Sequence, residues 1–345
     1  MSVLTDLLGI KLPIIQAPMA GVQGSALALA VSEAGGLGSL PCAMLSHEAL
    51  RSELATLRAN AQGPYNVNFF CHTSPTPDPE KEKRWRQTLA PYYTEFDIDS
   101  SKATPEQART PFSAELAELL SDYAPPVVSF HFGLPSPALL ARVRSWGAKI
   151  LGCATTVDEA LWLEAHGADA IIAQGIEAGG HRGMFLTTDL ATQQSTRSLV
   201  TEFLAAVHVP VIAAGGIADA AGVRDVMALG AAGVQIGTAY LLCPEATTRP
   251  VHRLSLQGEE AQHTAITTLF SGRPARGIVN RLMRELGPIN TAAPAFPLAS
   301  AALAPLRAAA ESRGLGDFSP LWAGQNVSGC KALSAALLTR QLAGQ

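Results

Sequence analysis

The sequence has few charged residues and few cysteines. Charged residues make up 16% of the 345 residues, and the formal net charge is −4. No block of like charges occurs, and no Lys/Arg-rich run interleaves with aromatic residues, so a nucleic-acid partner is not expected. The five cysteines are odd in number, far apart and form no CxxC pair. That spacing predicts neither a metal site nor a disulfide framework, and a reducing cytoplasm is the expected location.

Long apolar runs are also missing. No segment approaches eighteen uninterrupted apolar residues, so we expect no membrane-spanning helix. The first residues, MSVLTDLLGIKLPIIQAP, lack a basic region followed by a long apolar run and do not predict a signal peptide. Hydrophobic residues nevertheless make up 48% of the chain. The length is sufficient for one large barrel or two domains.

Short apolar runs alternate with helical patterns along most of the chain. Continuous apolar strands separated by helices indicate a parallel sheet. Eight such units favour an α/β fold of the (β/α)8 TIM barrel type over an open doubly wound sheet, and no G-x-G-x-x-G follows the first strand. The predicted strands cover residues 12–17, 37–40, 65–70, 127–130, 149–153, 170–173, 209–213 and 233–236.

Two stretches interrupt this rhythm. Residues 73–112 are rich in proline, charge and aromatics, which predicts an insertion of one or two helices over the barrel mouth or a flexible surface excursion. We therefore expect a TIM barrel over residues 1–243. A small, mostly helical domain is predicted over 244–325, inserted after the eighth strand. Segments 255–260, 261–270 and 280–286 of that domain look helical or mixed. A C-terminal helix over 328–342, within residues 326–345, would return to the barrel.

Glycine-rich loops follow the sixth, seventh and eighth predicted strands. Gly215-Gly216 and Gly237-Thr238 stand where barrels of this type commonly bind a phosphate. The amides of Asn68 and Gln174 also lie at strand ends, and they suit a ring that both donates and accepts hydrogen bonds. These residues predict a phosphorylated, ring-bearing ligand, and the alternative is that the glycines only form tight turns.

The glycine turn at residues 179–183 is the most distinctive, because it places His181 among three glycines shortly after a buried strand. An imidazole can bind an anion when charged, or accept a proton when neutral. The alternative interpretation is a tight turn with a solvated His-Arg pair.

Several motifs together resemble the nitronate monooxygenase family, once called 2-nitropropane dioxygenases. They are PIIQAPMAG (13–21), NVNFF (66–70), SFHFGLP (129–135), AQGIEAGGHRG (173–183), VIAAGGIAD (211–219), QIGTA (235–239), FSGRPARG (270–277) and LWAGQ (321–325). The resemblance implies a TIM barrel with a small helical domain and non-covalently bound FMN. It also implies oxidation of alkyl nitronates with dioxygen to carbonyl compounds and nitrite, without a nicotinamide cofactor.

The same resemblance implies roles for particular residues. His181 corresponds to the family's active-site histidine and would be catalytic and bind the substrate. His131 lies at the C-terminal end of the fourth predicted strand and is expected to bind the same substrate; the alternative is a structural, hydrogen-bonded histidine. His72 is a weaker candidate, and His252 is expected to be an ordinary surface or helix residue. The oligomeric state is left open between a monomer and a homodimer. The residues expected to hold FMN are Ala17, Pro18, Met19, Asn68, Gln174, Gly179, Gly180, Gly215, Gly216, Gln235, Ile236, Gly237 and Thr238.

One region departs from the family pattern. Bacterial relatives that handle propionate 3-nitronate tend to carry tyrosines and a lysine where this chain has FPLASAALAPL, at residues 296–306. Tyr240, Arg182 or Arg273 could replace those partners of a substrate carboxylate, or the preference could shift to more apolar nitronates.

Two alternatives to this function stand beside it. The first is an NAD(P)H-dependent flavin barrel, either a quinone reductase or an enoyl-ACP reductase, because these share PIIQ- and AAGGI-like loops. The second is a barrel that binds a phosphorylated ligand without catalysis.

Overall fold

The computed structural model describes residues 2–99 and 109–345, so part of the predicted insertion, residues 100–108, lies outside the described residues. The eight barrel strands lie within two residues of the predicted bounds. They are β1 (Ile14–Gln16), β2 (Gly38–Pro41), β3 (Tyr65–Phe70), β4 (Val127–His131), β5 (Lys149–Ala154), β6 (Ala170–Gln174), β8 (Val211–Ala214) and β9 (Gly233–Ile236). Three further strands are β7 (Gly180–His181), β10 (Thr264–Thr267) and β11 (Ala275–Ile278).

Thirteen helices are described in residues 2–99 and 109–345. They are α1 (Val3–Leu8), α2 (Ser25–Glu33), α3 (His47–Asn60), α4 (Pro79–Glu95), α5 (Ala114–Ser121), α6 (Pro137–Arg144), α7 (Val157–Ala165), α8 (Thr196–Ala206), α9 (Ala220–Ala228), α10 (Pro250–Gln257), α11 (Arg281–Leu286), α12 (Ala299–Ser312) and α13 (Ala335–Leu342). Side-chain caps fix several of the starts. Ser46, for example, accepts a hydrogen bond from the Ala49 backbone N–H at the start of α3.

The eight parallel strands close into a barrel. Their order around the sheet is β1-β9-β8-β6-β5-β4-β3-β2. The first and last strands of that order meet at a parallel bridge between Ile15 and Leu37. There Gln16 N donates to Leu37 O and Leu37 N to Ile14 O, both at 2.9 Å. The (β/α)8 TIM barrel is therefore confirmed.

The N-terminal end of the barrel is closed by α1, a helix that the sequence patterns did not predict. Leu4 and Leu8 of α1 are buried against the apolar residues that fill this end, including Ile15, Leu37 and Ile212. A Cβ on Gly233, at the start of β9, would lie 2.3 Å from Leu4 Cδ2. With this end filled, a ligand of the barrel has to enter at the C-terminal ends of the strands.

The segment after β9 contains the helices α10, α11 and α12, and also two strands that were not predicted. Residues 261–270, interpreted as helical or mixed, contain the end of a short 3-10 helix and the strand β10 at Thr264–Thr267. β10 pairs antiparallel with β11, and β11 pairs antiparallel with β7. The predicted glycine turn around His181 is therefore partly a strand, and it belongs to this second, three-stranded sheet.

Within the insertion, α4 packs against α12, a helix that the proline-punctuated sequence did not predict. Trp85, Leu89 and Tyr93 of α4 are buried in one cluster with Leu303 and Leu306 of α12. Tyr93 OH donates to Ala302 O at 2.6 Å, and Trp85 Nε1–H donates to Ala299 O at 3.2 Å. The C-terminal helix is also shorter than predicted, because α13 starts only after Ser334, whose hydroxyl caps it.

Candidate active site

A cavity of about 290 Å³ opens at the C-terminal ends of the barrel strands. All fifteen residues singled out from the sequence line it. They are Ala17, Pro18, Met19, Asn68, His131, Gln174, Gly179, Gly180, His181, Gly215, Gly216, Gln235, Ile236, Gly237 and Thr238. The structure thus brings together residues from six of the eight barrel strands or the loops that follow them.

His181 lies on β7, opposite Ala275 of β11. Its Nε2 is 2.9 Å from the hydroxyl oxygen of Ser271. The rings of Phe296 and Trp322 lie 5.4 and 5.5 Å from the imidazole, centroid to centroid. Burial holds the pKa of His181 well below its usual value, and the positive charges of Arg109 and Arg273 lower it further. The imidazole is therefore neutral at physiological pH.

Two barrel side chains hold the β7 backbone in place. The carbonyl oxygen of His181 accepts hydrogen bonds from Gln174 Nε2 at 2.9 Å and from His131 Nε2 at 3.2 Å. Gln174 Oε1 in turn accepts from the Gly183 N–H at 2.7 Å. Much of the hydrogen-bonding capacity of the Gln174 amide is thus used to fix the strand that carries His181.

The same carbonyl fixes the tautomer of His131. A carbonyl oxygen can only accept, so Nε2 of His131 carries the proton and Nδ1 is the unprotonated nitrogen. Burial lowers the pKa of His131 to about 4, which leaves the ring neutral. His131 therefore lines the cavity as a neutral ring whose tautomer is fixed by its hydrogen bond to the protein.

A ladder of buried polar side chains fixes Asn68. Its Nδ2 donates to both the hydroxyl and the carbonyl oxygen of Ser129, at 2.9 and 3.2 Å. Since the carbonyl cannot donate, the amide nitrogen must face Ser129, and Oδ1 is the atom left for a ligand. Asn66 Nδ2 donates to the hydroxyls of Ser129 and of Ser39, and the Ser39 N–H donates to Gln16 Oε1. These bonds give partners to the amide nitrogens of both buried asparagines, while Asn66 Oδ1 is buried without a partner among the described residues.

The glycine loops make close approaches as well as turns. Gly215 and Gly216 both have positive φ, at 125° and 71°. A Cβ on Gly179 would lie 2.5 Å from the Gly324 nitrogen, and that N–H donates to Thr238 Oγ1 at 2.9 Å. Asp219 occupies the N-cap of α9 and accepts from the Gly222 N–H, so a carboxylate already takes one donor at this helix start.

Comparison with known proteins gives a consistent result over the full length of the chain. A family model described as nitronate monooxygenase matches residues 1–344. A nitronate monooxygenase from Pseudomonas aeruginosa is 42% identical over 98% of this chain and 97% of its own. The chain belongs to the nitronate monooxygenase family. It is accordingly an oxidoreductase enzyme.

Other members and neighbours agree with this assignment. A nitronate monooxygenase from Paraburkholderia phytofirmans is 41% identical, with 98% and 93% coverage. The solved structure of nitroalkane oxidase from Streptomyces ansochromogenes superposes with a TM-score of 0.89 at 38% identity, covering 99% and 96% of the two chains. FabK from Thermotoga maritima gives a TM-score of 0.71 at 26% identity, covering 99% and 94%. The reductase alternative is thus not favoured over the nitronate monooxygenase family.

The three residues suggested as substitutes for the family's tyrosines and lysine do not line the cavity. Arg182 is fully buried, and its guanidinium donates to the carbonyls of Gln174 and Gly175 and to Gln193 Oε1. Tyr240 bonds Thr339, and Arg273 bonds the Met184 carbonyl and stacks on Phe132 at 3.8 Å. The polar groups of these three side chains are therefore already engaged in contacts within the protein. Arg109, Arg249 and Arg307 line the cavity instead.

Two other histidines differ in their relation to the cavity. His252 on α10 lines it, although the sequence indicated an ordinary residue; it is 5% exposed, and Nε2 has no partner among the described residues. His72 is buried too, but it packs edge-on against Phe296 at 4.9 Å and does not line the cavity. No local sequence motif marks His252 as a cavity residue, because α10 reaches the cavity only through the three-dimensional fold.

Proposed function

We propose that this protein is an FMN-dependent nitronate monooxygenase that oxidises alkyl nitronates with dioxygen to carbonyl compounds and nitrite. The observation that carries the proposal is the position of His181, whose neutral, partly buried imidazole lies on the wall of the cavity at the barrel's C-terminal end. Membership of the nitronate monooxygenase family supports the same reaction.

The residues present fit a flavin mononucleotide. Gln235 Oε1 is buried without a hydrogen-bond partner among the described residues, and Gln235 lines the cavity, so a donor on a ring edge would satisfy it. A Cβ on Gly180 would meet no atom within 4 Å, which leaves room beside the strand. Asn68 Oδ1 would add an acceptor, and Gly216 and Thr238 would bind the phosphate. When bound, FMN would supply the acceptor for the nitronate's electrons and pass them to dioxygen.

The charges around His181 favour an anionic substrate. Arg109 and Arg273 lower the pKa of His181 because their positive charges oppose a second cation nearby. The same field attracts a nitronate, which carries a negative charge, while the neutral imidazole adds a hydrogen bond rather than a charge. Ser271 orients the ring through its contact with Nε2. We infer that the substrate lies against His181 with its alkyl group among the surrounding aromatic rings.

Replacement of His181 tests the proposal. The wild type should consume oxygen and release nitrite with ethyl or propyl nitronate, while NADH or NADPH should not bleach the flavin under anaerobic conditions. H181N should lose roughly 100-fold or more of the turnover, as expected for loss of a positioned proton-transfer or hydrogen-bonding group. The matched control is H166N, because His166 is exposed and stacks on Trp162 away from the cavity. FMN content should stay equal in all three proteins.

The outcomes separate the alternatives. Unchanged nitronate turnover in H181N would reject the role of His181. Rapid bleaching by a nicotinamide would favour the reductase alternative, and a purified protein without flavin absorbance would refute the cofactor assignment.

A further inference from the structure

Trp322 lies at the boundary between two cavities. Its side chain lines the main cavity and also a small adjoining cavity of about 20 Å³. On one side its ring is 5.5 Å from His181, and its ring is also 5.6 Å from Phe270 at an angle of 86°. The small cavity is otherwise lined by apolar residues such as Phe270 and Leu303 and by polar ones, which are Arg109, Ser271, Ser300 and Arg307. Trp322 therefore lies between the space beside His181 and a small recess of mixed polar and apolar lining.

The backbone around Trp322 is held on both sides, so the ring is a fixed wall. Trp322 forms an antiparallel bridge with Gly277 of β11, and the neighbouring Leu321 carbonyl accepts from the Ile278 N–H at 2.9 Å. A Cβ on Gly277 would lie 3.0 Å from Trp322 Cε3, which shows how closely the ring covers the strand. Two residues further on, Gly324 is bonded to Thr238.

The indole N–H of Trp322 differs from those of the two tryptophans that are bonded in the structure. Trp85 Nε1–H donates to Ala299 O, and Trp146 Nε1–H donates to Pro125 O. Within the described residues, no hydrogen bond joins Trp322 Nε1–H to the protein. Buried tryptophan N–H groups usually find a partner. Trp322 is half-buried and lines the cavity, so we infer that a ligand bound there is the partner of its N–H.

We propose that Trp322 is a specificity-determining residue that selects short, planar, anionic substrates. The inference rests on the proposed function and names the substrate class of that same site. The indole limits the length of the alkyl group by closing the recess behind it. Its N–H donates to an oxygen of the anionic head group while that group lies against His181.

Straight-chain carboxylates test this without turnover, since a carboxylate is a planar anion of nearly the same shape as a nitronate. Binding of propionate, butyrate, hexanoate and octanoate to the FMN-loaded protein is measured by isothermal titration calorimetry. The wild type should bind the short acids best. W322A should shift the preference towards the long acids by about tenfold or more, because one misfitted methylene in a pocket is worth roughly 10–200-fold.

W322F separates the two roles of the indole. It keeps an aromatic wall but lacks the N–H, so it should weaken every carboxylate by about tenfold while the order of chain lengths stays that of the wild type. The control is W162F on α7, which should bind as the wild type does. Circular dichroism and FMN content show whether each variant is folded, and W322L replaces W322A if the alanine variant is not.

Each outcome bears on the inference. A chain-length profile in W322A or W322L equal to that of the wild type would overturn the role of the wall. Wild-type affinities in W322F would overturn the role of the N–H. Oxidation of nitronates by a wild type that binds none of the acids would refute the inference and leave the proposed function standing. A wild type that binds short acids but oxidises no nitronate would refute the proposed function instead.

Discussion

Mild acid is expected to destabilise this protein through His252, a buried histidine on the cavity wall. Burial lowers the pKa of His252 from 6.5 to about 4, and contact with the Trp322 backbone offsets this only in part. In the unfolded chain the imidazole is free to take a proton near pH 6.5. Between the two values the unfolded state binds more protons than the folded state, so acid shifts the equilibrium towards unfolding.

The size of the effect follows from the two pKa values. The stability contributed by a neutral His252 is fully present above about pH 6.5 and is lost as the pH falls towards 4. At about 1.4 kcal/mol for each pH unit, the loss is about 2 kcal/mol by pH 5 and about 3 kcal/mol by pH 4. This is a large share of the free energy of unfolding, which is roughly 5–15 kcal/mol for a typical folded protein.

The substitution H252Q isolates this contribution, because glutamine does not titrate. Urea unfolding, followed by circular dichroism near pH 7.5 and near pH 5, gives the free energy of unfolding of the wild type, H252Q and H166Q. The wild type and H166Q should lose about 2 kcal/mol more than H252Q between the two pH values. H252Q can be less stable than the wild type at both, since only the difference in pH dependence is diagnostic. An equal loss in all three proteins would refute a buried, neutral His252.

Two further predictions concern the surroundings of His181. In G183A the new Cβ would lie 2.7 Å from Cys153 Sγ and 3.2 Å from His131 Cε1. We expect the free energy of unfolding, measured in urea, to fall by about 1–3 kcal/mol and to recover in part in G183A/C153A. No recovery in the double variant would contradict the steric cause. In S271A the Nε2 of His181 loses its partner at 2.9 Å. The pH profile of kcat for a nitronate should shift relative to the wild type, and S271T should restore it. An unchanged profile in S271A would show that Ser271 does not orient the imidazole.

The barrel could be predicted from the sequence because its strands are buried on both faces and appear as continuous apolar runs. β3 and β9 have the predicted bounds, and the other six barrel strands differ by one or two residues at their ends. The cavity residues were also predictable, since parallel strands place their C-terminal ends on one rim. Gly216 after β8 and Gln174 at the end of β6 are far apart in sequence, yet this rule alone puts both on the rim.

The remaining structure depends on contacts that local patterns do not encode. β7 is only two residues long and exists because β11 pairs with it. α12 contains Pro305 within a run of alanines and leucines, and its burial against α4 outweighs the proline's low helix propensity. α1 has six residues and depends on the Ser2 hydroxyl cap and on Gly9 in the left-handed conformation at its end. His252 reaches the cavity only through the position of α10 in the folded chain.

Because β7 pairs with β11, the positioning of His181 depends on a strand that is synthesised later than the histidine itself. His181 leaves the ribosome well before Ala275–Ile278, the strand that aligns it. A nascent chain that has completed all eight barrel strands, up to Ile236, therefore has a rim but no strand partner to hold the imidazole in place. Under the role proposed for His181, catalytic competence is thus acquired late in synthesis, after the scaffold that supports it.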